Sequence, residues 1–172
     1  MPEATRGQRG KTMINITIIC VGKLKETYLR EGVAEYAKRI SRYCRFEIIE
    51  VPDEKIPDPV SAGAVVQILA AEAKNVIAKI PKSAHIVALA IEGEPVTSPG
   101  LAEWIAGAAN GGASKLCFII GGSLGLADEI KRSADRLLSF SALTFPHQLM
   151  RLMLAEQLYR AFTILHNATY HK

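Results

Sequence analysis

Two bends in the last third of the chain hold the residue types best suited to grip a ligand. The first is Gly121-Gly122-Ser123-Leu124-Gly125, which closes the apolar run Leu116-Cys117-Phe118-Ile119-Ile120. A continuous apolar run ended by glycines reads as a buried parallel strand entering a tight turn. Glycine there lets backbone approach a ligand that a Cβ would hold away. The second bend follows the short strand Leu137-Leu138-Ser139-Phe140-Ser141 and runs through Ala142, Leu143, Thr144 and Phe145 to Pro146. Pro146 suits the first turn of a helix, with Thr144 or Phe145 near its cap. Ligands of open α/β sheets sit at the carboxyl ends of strands, so these bends can form two walls of one pocket. The glycines match neither GxGxxG nor GxxxxGK[ST], and no lysine follows at the spacing that would reach a phosphate. A nucleoside with a small or uncharged tail suits such a site better than a triphosphate.

The elements that must position these bends alternate along the chain. Ile14 to Val21 predicts a first strand ended by Gly22. A helix follows, with Leu29, Val33, Tyr36, Ile40 and Tyr43 on one stripe and Arg30, Lys38, Arg39 and Arg42 on the outer face. That basic face reads equally as solvated or as RNA-contacting. Phe46 to Val51 predicts a second strand, Pro52 to Pro59 a loop, and about Val60 to Ile80 a second helix stopped by Pro81. His85 to Ile91 predicts a third strand, with Leu89 near its carboxyl end and a turn at Glu92-Gly93-Glu94-Pro95. Ser98 to Asn110 predicts a third helix, capped by Ser98, and Trp104 within it reads as packing. A short helix spans about Ala127 to Arg136. The last helix, about Pro146 to Asn167, carries one apolar stripe of Met150, Leu154, Leu158, Ala161 and Leu165 and a second of Leu152, Ala155, Tyr159 and Phe162. Two apolar faces require two partners, its own sheet and a second subunit. Arg151, Glu156, Gln157 and Arg160 occupy the rest, with Glu156 and Arg160 spaced for an i,i+4 pair. Strand–helix alternation of this kind argues an α/β fold, a parallel-rich sheet with helices on both faces.

Bulk properties narrow the class. The 172 residues are 49% hydrophobic and 22% charged, a globular composition. No apolar run approaches the roughly 20 residues of a membrane span, and no signal peptide is visible, which makes the cytoplasm the default. Cys20, Cys44 and Cys117 lack CxxC spacing, and Cys20 and Cys117, in strand-like runs, read as core residues. The four histidines share no ligand spacing, so no metal is expected. Of the net charge of +4, half comes from Arg6, Arg9 and Lys11 against Glu3 in residues 1–12, which read as a disordered extension. The remaining body, 13–172, reads as a single domain. Its weak positive charge means that nucleic-acid binding would need a local patch.

The order IIGGSLG, then LSFSALTFPHQLMRLMLAEQLYRA, then a final Tyr170-His171-Lys172 resembles the SPOUT-class methyltransferases that modify large-subunit ribosomal RNA. More narrowly it resembles their pseudouridine N3-methyltransferase branch. Ile18 to Lys25 and the segment Val51-Pro52-Asp53-Glu54-Lys55 resemble that branch as well, and the match covers about Met13 to Lys172.

That resemblance implies a C-terminal trefoil knot, S-adenosylmethionine as cofactor, a homodimer, and N3 of a pseudouridine in ribosomal RNA of assembled ribosomes as the substrate. Carried over residue by residue, it makes Leu89, Gly121, Gly122, Phe140, Ser141, Ala142, Leu143, Thr144 and Phe145 the cofactor walls. Methyl transfer to an N–H acceptor needs alignment and removal of a proton, helped by a cation near the uracil edge. The candidates are His147, Arg151, Tyr170 and His171. Arg151 could hold a phosphate or a carbonyl, or pair with Glu156 or an acid of a partner chain. If it acts on substrate, Arg151→Ala lowers turnover more than cofactor binding; equal loss of both marks it as structural. The resemblance also implies that the final residues fold over an active site, of their own subunit or its neighbour. Asn167-Ala168-Thr169 departs from the glycine- and proline-containing turn of many relatives. Two other readings remain at this point: a non-catalytic ribosome-binding module that keeps the fold, and a small-molecule nucleotide enzyme on an ordinary doubly wound sheet.

Overall fold

The computed structural model describes residues 13–171; the extension expected at 1–12 lies outside the described residues, as does Lys172. Five strands, β1 (Asn15–Val21), β2 (Arg45–Val51), β3 (His85–Pro95), β4 (Lys115–Ile120) and β5 (Arg136–Ser139), alternate with α1 (Thr27–Ile40), α2 (Ala62–Ile77), α3 (Ser98–Asn110), α4 (Asp128–Ser133) and α5 (His147–Leu165). The strands pair in parallel in the order β2-β1-β4-β3-β5.

Period-two alternation divides the core between the two faces of the sheet. Ile16, Ile18 and Cys20 of β1 and Leu116, Phe118 and Ile120 of β4 point to one face. There they pack with Ile40 of α1, Leu101 and Ile105 of α3, and Leu154 and Leu158 of α5. Ile19 and Val21 of β1 and Cys117 and Ile119 of β4 point to the other, against Ala73 and Val76 of α2 and Ile130 of α4. Strands buried on both faces account for the unbroken apolar runs in the sequence. All three cysteines are buried in this core, and burial pushes each thiol up to about 12.

Local chemistry shifts several boundaries. α2 begins at Ala62 because Ser61 caps it, accepting the Ala64 N–H at 3.1 Å. Thr97, and not Ser98, caps α3 by accepting the Gly100 N–H at 3.1 Å. Pro146 stands at the cap position of α5 with no side-chain cap bond. α4 ends at Ser133, so β5 starts at Arg136. Trp104 packs edge-on against Phe118, its ring centre 6.2 Å away, with the Arg136 guanidinium above it.

The largest departure is in β3. The turn expected at Glu92–Pro95 is strand, and both Leu89 and Glu94 pair with Leu138 of β5. The four residues between them are looped out, so β3 wraps closely around the β5 backbone. Gly93 makes this possible: a Cβ there would lie 2.5 Å from the Leu138 carbonyl carbon. Such close passage is consistent with the threaded C-terminal half that the resemblance implies. After β5 the chain crosses the strand ends and returns as α5, packed on α1 and α3.

Candidate active site

A cavity of about 700 Å³ opens at the carboxyl ends of β3, β4 and β5. Its volume lies within the range of small-molecule and cofactor sites. The glycine turn forms one wall. Gly125 donates its N–H to the Gly122 carbonyl at 3.0 Å, and the two residues form an isolated bridge. A Cβ on Gly121 would lie 2.3 Å from the Gly125 oxygen, and Gly125 has φ +83°. Only glycine allows this turn to close so tightly.

The second bend forms the facing wall, built by hydroxyl groups. Ser139 donates its Oγ–H to the Ser141 carbonyl at 3.0 Å, and Ser141 Oγ accepts the Leu143 N–H at 3.0 Å. This side-chain closure is what serine offers an irregular turn. It leaves Leu143 with 68% of its surface exposed. Leu89, Gly121, Gly122, Phe140, Ser141, Leu143, Thr144 and Phe145 all line the cavity; Ala142 lies in the same bend without lining it.

His147 also lines the cavity, at the first turn of α5. Burial and then the nearby Arg151 charge hold its imidazole below the ordinary value, against the opposing pull of Asp53 and with a lesser push from Lys25. This favours the neutral imidazole, the form able to accept a proton.

Arg151 lies elsewhere. Only 1% of its side chain is exposed. Its guanidinium donates to Glu50 Oε1 at 2.7 Å, to the Gly22 carbonyl at 2.6 Å and to the Val21 carbonyl at 3.1 Å. Glu50 Oε1 also accepts the Leu24 N–H at 2.8 Å, and Gln148 Oε1 accepts the Lys25 N–H at 3.1 Å. Arg151 thus ties the exit of β1 to β2 and α5, and its acid partner within the chain is Glu50, not Glu156.

The segment after α5 folds back along the helix. The Tyr170 hydroxyl donates to Glu156 Oε1 at 3.1 Å and lies 3.2 Å from the Tyr36 hydroxyl of α1. Its ring meets Tyr159 edge-on at 4.8 Å, and the Arg160 guanidinium sits over it. Arg160 pairs with Glu156 as the spacing requires, and its Nη1 lies 3.3 Å from His171 Nδ1. Burial and the hydrogen bonds to Tyr36 and Glu156 push the Tyr170 phenol well above its ordinary value. Neither Tyr170 nor His171 lines the cavity of its own chain.

Several lining residues gave no signal in the sequence. Ile91 and Glu92 reach the cavity because β3 loops out after Leu89, and Lys131 of α4 pairs with Glu92 at its edge. That pair holds the Glu92 carboxyl below the usual carboxylate range. Met150 lines it one helical turn beyond His147.

Residues 14–171 match the family model described as "Predicted SPOUT methyltransferase". The chain is 52% identical over 159 residues to the "Ribosomal RNA large subunit methyltransferase H" of Bacillus pumilus, covering 92% of this chain and 100% of that one. It is 50% identical over the same shares to "Ribosomal RNA large subunit methyltransferase H 1" of Clostridium perfringens. The solved "probable methylase family protein" of Haemophilus influenzae, 14% identical, shares the fold with a TM-score of 0.52 over 92% of this chain and 71% of that one. A probable methyltransferase of Bordetella pertussis, 15% identical, gives 0.52 over 86% and 94%. A family model spanning nearly every described residue, joined to relatives half identical along their full length, means that the chain belongs to the SPOUT methyltransferase family.

Proposed function

We propose that the chain uses S-adenosylmethionine to methylate N3 of a pseudouridine in large-subunit ribosomal RNA, in the cytoplasm, on assembled ribosomes, as a homodimer. The observation that carries this reading is one cavity that joins both glycine- and serine-built bends to a neutral histidine. The relatives' names supply the RNA class.

The residues present suit the cofactor. The backbone at Gly121 and Gly122 lies open where a Cβ would crowd the turn, and the apolar side chains of Leu89, Leu143 and Phe145 suit the faces of an adenine ring. When bound, S-adenosylmethionine supplies an electrophilic methyl group. This chain's part is to orient the acceptor, exclude water and take one proton. His147 Nδ1 or Nε2 accepts the proton from pseudouridine N3, because the imidazole is held neutral at working pH. Arg151 acts through structure: it fixes the Val21-Gly22 exit and the first turn of α5, which carries His147.

Tyr170 and His171 serve the site of the partner subunit. This is supported by their absence from their own chain's cavity and by the half-buried aromatic face on which Tyr170 rests, formed by Tyr36 of α1 and Tyr159 of α5. Joining two such bodies also enlarges the basic surface available to RNA. Residues 13–172 act as one catalytic domain.

Mass spectrometry of ribosomal RNA nucleosides tests the proposal. A strain lacking the gene should lose N3-methylpseudouridine and regain it on complementation. An unchanged level in the deletion strain would contradict it.

A further inference from the structure

Behind the glycine wall, outside the cavity, is a buried acid that the mechanism does not use. Glu72 projects from α2 and is 6% exposed. Its Oε1 accepts the Glu54 N–H at 3.0 Å. Its Oε2 is buried with no hydrogen-bond partner among the described residues. That oxygen lies 3.6 Å from where a Cβ on Gly122 would stand. Gly122 itself lines the cavity, so the free oxygen is separated from it by the thickness of one backbone.

A carboxylate oxygen buried without a donor is costly to keep. Burial, and after it the nearby acids Asp53 and Glu54, raise its carboxyl above the usual carboxylate range, and among the described residues no cation compensates it. Those two are exposed, so solvent screens them. The Lys131 charge at the cavity edge is already spent on Glu92. An arrangement that is unfavourable in the empty protein becomes favourable if a positive charge enters the cavity.

Resting on the proposed use of S-adenosylmethionine, we propose that Glu72 is a positioning residue whose buried carboxylate, acting through the Gly122 turn, is the counter-charge for the cofactor's cationic tail. The cofactor carries a sulfonium and an ammonium against one carboxylate, a net positive charge. The site therefore selects charge as well as the adenosine shape, which the glycine turn alone does not explain. Glycine at 122 serves this selection, because any side chain there would wedge between the carboxylate and the cavity and would press on Val21, 3.1 Å away.

The test is calorimetric, with two probes on the full chain: S-adenosylmethionine, and methylthioadenosine, which keeps the adenosine thioether and lacks both positive charges. Glu72→Gln keeps the size of the side chain and the acceptor for Glu54. It should weaken S-adenosylmethionine binding by about tenfold, the order expected for two charges several ångströms apart at a partly screened site. Methylthioadenosine affinity should stay unchanged. Glu72→Met, which removes the charge at similar volume, should show the same pair of results if the Gln variant does not fold. Equal weakening of both probes, or no weakening of either, would overturn the inference and leave the methyltransferase reading intact. Wild-type protein that binds neither probe would overturn both.

Discussion

At the scale of single residues, His147 and Arg151 stand four positions apart on α5 and do opposite work. His147 meets the cavity and is held neutral, chiefly by burial. Above its ordinary value of 6.5 the imidazole is neutral in both folded and unfolded chains and contributes nothing to pH-dependent stability. As pH falls below that value the unfolded chain binds the proton first, so folding stability is lost towards the lower folded value. Thermal melts should therefore decline below about pH 6.5, and His147→Gln should remove that component of the decline. The same variant should cut methyl transfer by about a hundredfold, the usual worth of a positioned base, with cofactor affinity measured by calorimetry little changed. Arg151→Ala should lower stability by about 3–5 kcal/mol, because it breaks a buried ion pair and strands two carbonyls. Denaturant titration checks this. Arg151→Lys should restore little, since a single ammonium cannot serve three acceptors in the directions a guanidinium reaches.

At the scale of elements, the sequence exposed what is periodic or locally encoded and hid what depends on distant partners. The strands, the helices, both bends and the i,i+4 pair of Glu156 with Arg160 follow from apolar spacing, glycine, serine and proline, all local signals. The wrapping of β3 around Leu138 does not, because Gly93 shows its purpose only when β5 lies against it. Arg151 stood among the polar residues of α5 by type and spacing, yet it is buried because acceptors at the exit of β1 and on β2 converge on it. Glu72 was equally unreadable: it flanks the apolar stripe of α2 and gains meaning only from the turn it faces. The second apolar stripe of α5 finds part of its partner within the chain. Gly32 of α1 admits Leu152, whose Cδ1 would meet a Cβ there at 2.9 Å, and Tyr43 stacks on Phe162. The glycine turn gives the sharpest prediction at this scale. Gly121→Ala should abolish cofactor binding, because its Cβ would press on rigid Gly125 backbone. Gly122→Ala presses on the Val21 side chain at 3.1 Å, with Glu72 Oε2 at 3.6 Å, side chains in place of rigid backbone, and should cost less. Calorimetry on folded samples of each, judged by circular dichroism, checks the order.

At the scale of the whole molecule, the fold brings the ends of β3, β4 and β5 into one cavity. It parks Tyr170 and His171 along α5, off that cavity. Among the described residues no helix is long and apolar enough to cross a membrane. If the residues after α5 serve a second subunit, sedimentation should give a dimer. Mixing a Tyr170→Phe chain with a His147→Gln chain should then recover part of the activity that each homodimer lacks, through the site that pairs an intact cavity with an intact tail. No recovery on mixing would place the tail's role within its own chain.

The most direct measurement is transfer of a labelled methyl group from S-adenosylmethionine by the purified protein to ribosomes that lack the modification, followed by nucleoside mass spectrometry. Label confined to N3 of a pseudouridine of the large subunit, and absent with Gly121→Ala, is the predicted result. Protein that binds the cofactor in the strand-end cavity yet leaves that nucleoside unlabelled would contradict it.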